Sequence, residues 1–206
     1  MKRIGLLGGS FNPAHGGHRA ISLQALRALR LDEIWWLVSP GNPLKERATM
    51  APLAVRLASA RAQARGAAIR PTAIEARLGT VYTADTLRAL RTRFPRDRFI
   101  WLMGSDNLLQ FDRWRDWRGI ARTVPIAIIA RPGYTRRARA SPAMGWLRRA
   151  VRPVRQARTW TEWSLPALVF LAFVPDPRSA TRIRHAHPDW HQRLAPRVAA
   201  MSVKKD

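Results

Sequence analysis

Two histidines, His15 and His18, stand three residues apart behind a glycine-rich turn. The stretch reads Gly8-Gly9-Ser10-Phe11-Asn12-Pro13-Ala14-His15-Gly16-Gly17-His18. An apolar run, Ile4-Gly5-Leu6-Leu7, leads into it. This order predicts a strand, a turn and a helix start, and the end of a first parallel strand is where α/β proteins hold phosphates. Positions three apart on a helix are neighbours, so both imidazoles would share one face. Gly16 and Gly17 would let a phosphate approach the backbone between them. Nucleotide chemistry is the first expectation.

Other polar clusters follow predicted strands. Lys45 comes after the loop Ser39-Pro40-Gly41-Asn42-Pro43, and the other lysines are Lys2, Lys204 and Lys205. Gly104-Ser105-Asp106 follows another strand. A carboxylate there can accept two hydrogen bonds from a ligand's hydroxyl groups or cap a helix. Arg131-Pro132-Gly133 and Ser179-Ala180-Thr181-Arg182-Ile183-Arg184 complete the set. Ser179 and Thr181 fall in a first helical turn, where free N–H groups favour an anion, and Arg184 offers a forked donor. An ordinary serine cap with a solvated arginine is the alternative. A histidine pair could also bind zinc, but no third ligand lies close in sequence. His185, His187 and His191 read as a surface helix boundary before Pro188.

The elements that must carry these clusters alternate. Strands are expected at Arg3–Leu7, Ile34–Val38, Ala68–Pro71, Arg98–Met103, Ile126–Ala130 and Leu168–Val174. Helices are expected at Gly17–Leu31, Pro52–Arg65 and Thr83–Phe94, with another beginning at Ser179. Such alternation implies a doubly wound parallel sheet whose strand ends bring the clusters together. Residues 134–163, with Trp146, Trp160 and Trp163, form an excursion expected to cover the site or to form an oligomer interface.

The 206 residues suit one domain, and a 47% hydrophobic content suits a globular core. There is no cysteine, which excludes disulfides and thiolate–zinc sites. No secretory leader and no membrane span are expected, so the expected location is the cytoplasm. The net charge is +24, yet the basic residues are nearly all arginine, as a GC-rich genome would produce. Residues 131–160 hold nine arginines and no acid, which keeps a polyanion partner open for that segment.

Taken together, the motifs resemble the nucleotidyltransferases with an HxGH signature, and most closely the bacterial nicotinate-nucleotide adenylyltransferases. The resemblance spans nearly the whole chain and adds Tyr82-Thr83-Ala84-Asp85-Thr86-Leu87 and Trp114 to the clusters above. It implies a single α/β domain over 1–206, a Rossmann-like doubly wound parallel sheet with a small C-terminal helical part at 178–206. It implies transfer of AMP from ATP to nicotinate mononucleotide, with Mg²⁺ carried on the ATP phosphates and no protein metal site. By resemblance His15, His18, Lys45 and Arg184 would be catalytic. Gly8, Gly9, Ser10, Phe11, Gly104, Asp106, Arg131, Ser179 and Thr181 would join His15, His18 and Arg184 around ATP. Asn42, Lys45, Tyr82, Thr83, Thr86, Asp106 and Trp114 would hold the mononucleotide. There Trp114 would stack on the pyridine ring, and N–H groups near Thr83 would meet the nicotinate carboxylate. One departure is Arg178, where an aliphatic residue is usual before the serine.

Alternatives within the enzyme class are adenylyltransferases for nicotinamide mononucleotide or phosphopantetheine, separable by acceptor. Class I aminoacyl-tRNA synthetases share the histidine motif but need more chain. A basic nucleic-acid-binding protein is the alternative from another class, marked by salt-steep affinity without adenylyl transfer. A homo-oligomer is compatible with everything above.

Overall fold

The computed structural model describes residues 1–41, 50–174, 176 and 178–194. Six strands form one parallel sheet: β1 (Arg3–Gly9), β2 (Glu33–Val38), β3 (Ile69–Thr72), β4 (Arg98–Gly104), β5 (Ile126–Ile129) and β6 (Leu168–Leu171). Their order is β3-β2-β1-β4-β5-β6. The direction of winding reverses between β1 and β4, which pair from Arg3↔Arg98 to Leu7↔Leu102. Strand ends diverge at such a switch point and leave a crevice for ligands.

Alternation along the strands explains the layers. Trp35, Leu37, Trp101 and Met103 enter one core, while Trp36, Val38, Ile100 and Leu102 enter the other. Both faces are therefore apolar and both must be covered. On the second face lie α1 (Gly16–Ala28) and α2 (Leu53–Ala64), through Ala25, Ala60 and Ala64, with Leu29 at the end of α1. The first face receives α3 (Ile74–Leu78), α4 (Thr83–Arg93) and α5 (Ser105–Leu108), through Ile74, Leu87, Leu90 and Leu108. It also receives α6 (Trp117–Thr123), α7 (Thr135–Arg139) and α8 (Pro142–Leu147), through Ile120, Ala138 and Met144. The last described helix is α9 (Ala180–Ala186).

All six expected strands are present, with ends shifted by a few residues. The first helix stops at Ala28 instead of Leu31, because Arg30 takes a left-handed backbone (φ 50°) and turns the chain toward β2. Parts of the 134–163 excursion are built into both cores. Ala138, Ala143, Met144 and Leu147 enter the first core, and a 3-10 segment, Val154–Glu162, returns to the second. There Trp160 is 1% exposed and its indole N–H donates to the Leu29 carbonyl at 3.0 Å. Among the described residues no helix is long and apolar enough to cross a membrane.

Candidate active site

His15 is the N-cap of α1, and its side chain forms a reciprocal box with His18. The Gly17 N–H donates to His15 Nδ1 at 3.1 Å, and the His15 N–H donates to His18 Nδ1 at 3.2 Å. A neutral imidazole has one donor and one acceptor nitrogen. With both Nδ1 atoms accepting, both rings carry their proton on Nε2. Their centroids are 3.9 Å apart.

Both rings are neutral at pH 7. Burial lowers His15 to about 4, with Arg131 and Arg178 pressing further down and Asp176 opposing. His18 falls to about 3, mainly through burial, with His15 and Arg131 adding to the effect. Phe11 backs the pair: it is 2% exposed, stacks on Trp36 at 5.1 Å and touches His18 at 4.8 Å. Its side chain is thus core, and its left-handed φ of 47° turns the chain out of β1.

The second signature is tied to the first. Arg184 Nη1 donates to the Asn12 carbonyl at 2.7 Å, and Nη2 donates to Thr181 Oγ1 at 3.3 Å. Ser179 caps α9 by accepting from the Arg182 N–H at 3.3 Å. On the other side of the crevice, Arg131 Nη1 donates to Asp106 Oδ2 at 2.7 Å. Asp106 Oδ1 is buried beside Gly104 with no partner. The Arg131 backbone N–H is held by Ser105 Oγ at 3.0 Å and by Thr135 Oγ1 at 3.1 Å.

Gly8 connects this cluster to the aromatic side. A Cβ at Gly8 would lie 2.6 Å from the Trp101 ring, so the bare glycine makes room for that indole. Trp101 meets Trp114 edge-on at 6.4 Å, and Trp114 also meets Phe111 at 5.5 Å. Tyr82 is 38% exposed at the entrance to α4, under the Arg115 guanidinium at 4.6 Å. Thr86 is wholly buried, and its hydroxyl is engaged by Thr80 at 2.8 Å and by Glu75 Oε1 at 3.3 Å. Its place is beneath the Tyr82–Thr83 turn, not on the surface of that turn. Asn42 and Lys45 lie outside the described residues.

Sequence reasoning missed Arg56, Glu75, Ser105 and Thr135. Arg56 is 1% exposed and donates to four carbonyls: Ser10 at 2.7 Å, Ser39 and Ala51 at 2.8 Å, and Pro40 at 3.5 Å. It binds the exits of β1 and β2 together. Only Ser105 had a signal, as part of the quoted Gly-Ser-Asp turn.

A doubly wound sheet, a switch-point crevice and a neutral histidine pair beside anchored arginines define a nucleotidyltransferase architecture. The cytidylyltransferase-like family model matches residues 6–186, and the chain belongs to that family. A curated protein of Erythrobacter litoralis, named "Probable nicotinate-nucleotide adenylyltransferase", is 64% identical over 191 residues, covering 93% of this chain and 87% of that protein. The Parvibaculum lavamentivorans protein of the same name is 54% identical over 182 residues, covering 88% and 90%. Within the family, the chain is one of the nicotinate-nucleotide adenylyltransferases. The fold also matches the solved Plasmodium falciparum nicotinic acid mononucleotide adenylyltransferase complexed with NaAD. There the TM-score is 0.65 at 16% identity, over 90% of this chain and 83% of that one.

Proposed function

We propose that the enzyme transfers AMP from ATP to nicotinate mononucleotide, releasing pyrophosphate and forming nicotinate adenine dinucleotide at the β1–β4 crevice. A phosphate oxygen of the mononucleotide attacks the α-phosphorus of ATP. The bond from that phosphorus to the bridging oxygen breaks, and pyrophosphate leaves with the electron pair. The attacking phosphate is ionised near neutral pH, its second pKa being about 6, so no general base is required. The chemistry reduces to positioning and to stabilising charge on the phosphoryl group in flight.

One observation carries the residue assignment: both imidazoles accept backbone N–H groups at Nδ1. That leaves two neutral Nε2–H donors, side by side and already oriented. Donors aimed in advance at developing charge lower a barrier without reorganising. Arg184, anchored to the Asn12 carbonyl and Thr181, supplies positive charge from α9. Lys45 adds a second cation on the mononucleotide side, with Asn42 nearby in sequence. Gly8, Gly9, Ser10 and Gly104 line the backbone floor under ATP. Asp106 faces ribose hydroxyls once Arg131 turns to phosphate. Trp114 offers the pyridine ring an aromatic face, and the α4 entrance at Tyr82 and Thr83 offers N–H groups to the nicotinate carboxylate.

Mg²⁺ enters as the counter-ion of ATP. Among the described residues no group of three or more histidines and carboxylates converges to hold it. Phosphate oxygens and water are its natural ligands here.

The test is pyrophosphate release from MgATP with nicotinate mononucleotide, nicotinamide mononucleotide and phosphopantetheine in parallel. Turnover with the acid far above the other two is expected. Preference for another acceptor would overturn the assignment of Thr83 and Trp114.

A further inference from the structure

We propose that Arg178 is a further nucleotide-contact residue, laid by Asp176 over Gly16, the first of the two glycines between the histidines, to meet the phosphate chain of ATP. The inference rests on the adenylyl-transfer reading and adds a residue that the motifs do not contain, at the position where the resemblance expects an aliphatic side chain.

The geometry is specific. A Cβ built on Gly16 would sit 2.2 Å from both Cζ and Nη1 of Arg178, and 2.6 Å from Nη2. The guanidinium therefore lies against the bare Cα of Gly16, on the surface that a phosphate would approach. At Gly17 a Cβ would lie 3.2 Å from the Arg178 carbonyl oxygen, so the backbone of this residue also packs on the turn. Any side chain at position 16 would expel the guanidinium.

Asp176 holds the arginine in place. The Arg178 backbone N–H and Nε each donate to Asp176 Oδ1 at 2.9 Å, and Nη2 donates to Oδ2 at 2.5 Å. This fork uses one edge of the guanidinium and leaves Nη1, the nitrogen over Gly16, outside the carboxylate's grip. The Arg178 side chain remains 61% exposed, so a ligand can reach it. Both members of the pair act electrostatically on His15, the arginine lowering its pKa and the aspartate raising it. A phosphate chain that meets the Nε2–H donors of the histidines must pass this edge. A planar guanidinium already oriented by one carboxylate binds phosphate with less ordering cost than a free side chain does.

The experiment compares wild type with Arg178→Leu, Arg178→Gln and Arg178→Lys. Binding of a non-hydrolysable ATP analogue with Mg²⁺ is measured by calorimetry, beside KM for ATP and for nicotinate mononucleotide. Losing one charge-assisted contact should weaken analogue binding and raise the ATP KM about tenfold in the Leu and Gln variants. The KM for the mononucleotide should hold within about twofold, and Lys should recover part of the ATP affinity. Two neutral variants of different shape guard against a folding defect in one of them. Unchanged or tighter analogue binding in folded Leu and Gln variants would overturn the proposal, leaving Arg178 as packing or as a plug. Absence of adenylyl transfer by the wild type would refute the underlying reaction instead, while analogue binding would still judge Arg178.

Discussion

Replacing Glu75 by glutamine should remove a pH-dependent weakness built under the α4 entrance. Glu75 is 7% exposed. It accepts from Thr86 Oγ1 at 3.3 Å, and its carbonyl accepts from the Thr80 N–H at 3.0 Å. Burial pushes its carboxyl up from 4.5 to about 7, opposed only weakly by the Thr86 hydrogen bond. Below 4.5 both folded and unfolded chains hold the proton, and the group costs nothing. Between 4.5 and 7 the unfolded chain releases the proton while the folded chain keeps it, so stability falls as pH rises. At 1.36 kcal/mol for each tenfold change, the forfeited stability reaches about 3 kcal/mol by pH 8. Glutamine keeps the acceptor for Thr86 and carries no proton to lose. The stability of Glu75→Gln relative to wild type should therefore rise by about 3 kcal/mol between pH 4.5 and 8. Urea unfolding followed by tryptophan fluorescence measures this at each pH, and contributions from the histidines cancel in the comparison. A stability difference that stays flat across that range would refute the reasoning.

Three further outcomes follow from the contacts of His18 and Arg56. His18→Ala should lower kcat by about 10²–10³-fold, because a pre-aimed donor is lost, with the far-ultraviolet dichroism unchanged; near-normal turnover would remove the histidine pair from the chemistry. The depressed His18 pKa also means that stability is complete above 6.5 and drains as pH falls toward about 3. The wild type should therefore lose up to ~1.4 kcal/mol per pH unit below 6.5 through this group, and His18→Ala should lose less. Arg56→Met would leave the Ser10, Ser39, Ala51 and Pro40 carbonyls without their common donor. A cost of about 3–4 kcal/mol is expected, read as a lower urea midpoint at unchanged slope, and a cost under about 1 kcal/mol would contradict the keystone role.

What the sequence made legible was periodic or compositional. Buried parallel strands are short apolar runs between turn residues, so Ile34–Val38 and Ile126–Ala130 could be read to within a residue of the strands observed. Strand ends carried the polar clusters, so the convergence of His15, Asp106, Arg131 and Arg184 followed from topology alone. Arg30 was not legible, since nothing in its type announces a left-handed backbone. The core contribution of the 134–163 segment was not legible because its buried residues are small or scattered, Ala138, Ala143 and Ala157 among arginines, and its 3-10 stretch lacks the helical period. Arg56 stayed hidden for a different reason: in a chain this rich in arginine, one buried guanidinium has no compositional mark. Its burial is a property of the four carbonyls that converge on it, and those come from distant parts of the chain.

The same abundance separates two uses of positive charge. Arginines 136, 137, 139, 148, 149, 155 and 158 are exposed. They add to a general field that draws anionic nucleotides without orienting them. The arginines at the crevice are held instead: Arg131 by Asp106, Arg178 by Asp176, and Arg184 by the Asn12 carbonyl and Thr181. Two of these anchors are carboxylates, which offset the charge of the two guanidinium groups they hold and keep each in one orientation. The histidines complete the logic by being neutral. A buried pair of imidazolium ions 3.9 Å apart would repel and would cost much desolvation, whereas two neutral Nε2–H donors avoid the repulsion and cost far less to bury. On the proposed reading, the neutral donors and held guanidinium groups would act on a polyphosphate where the phosphoryl group moves. Donors held in advance where charge develops serve the transition state more than the ground state, so the histidine pair would act mainly on kcat, whereas Arg178 would act on ATP binding.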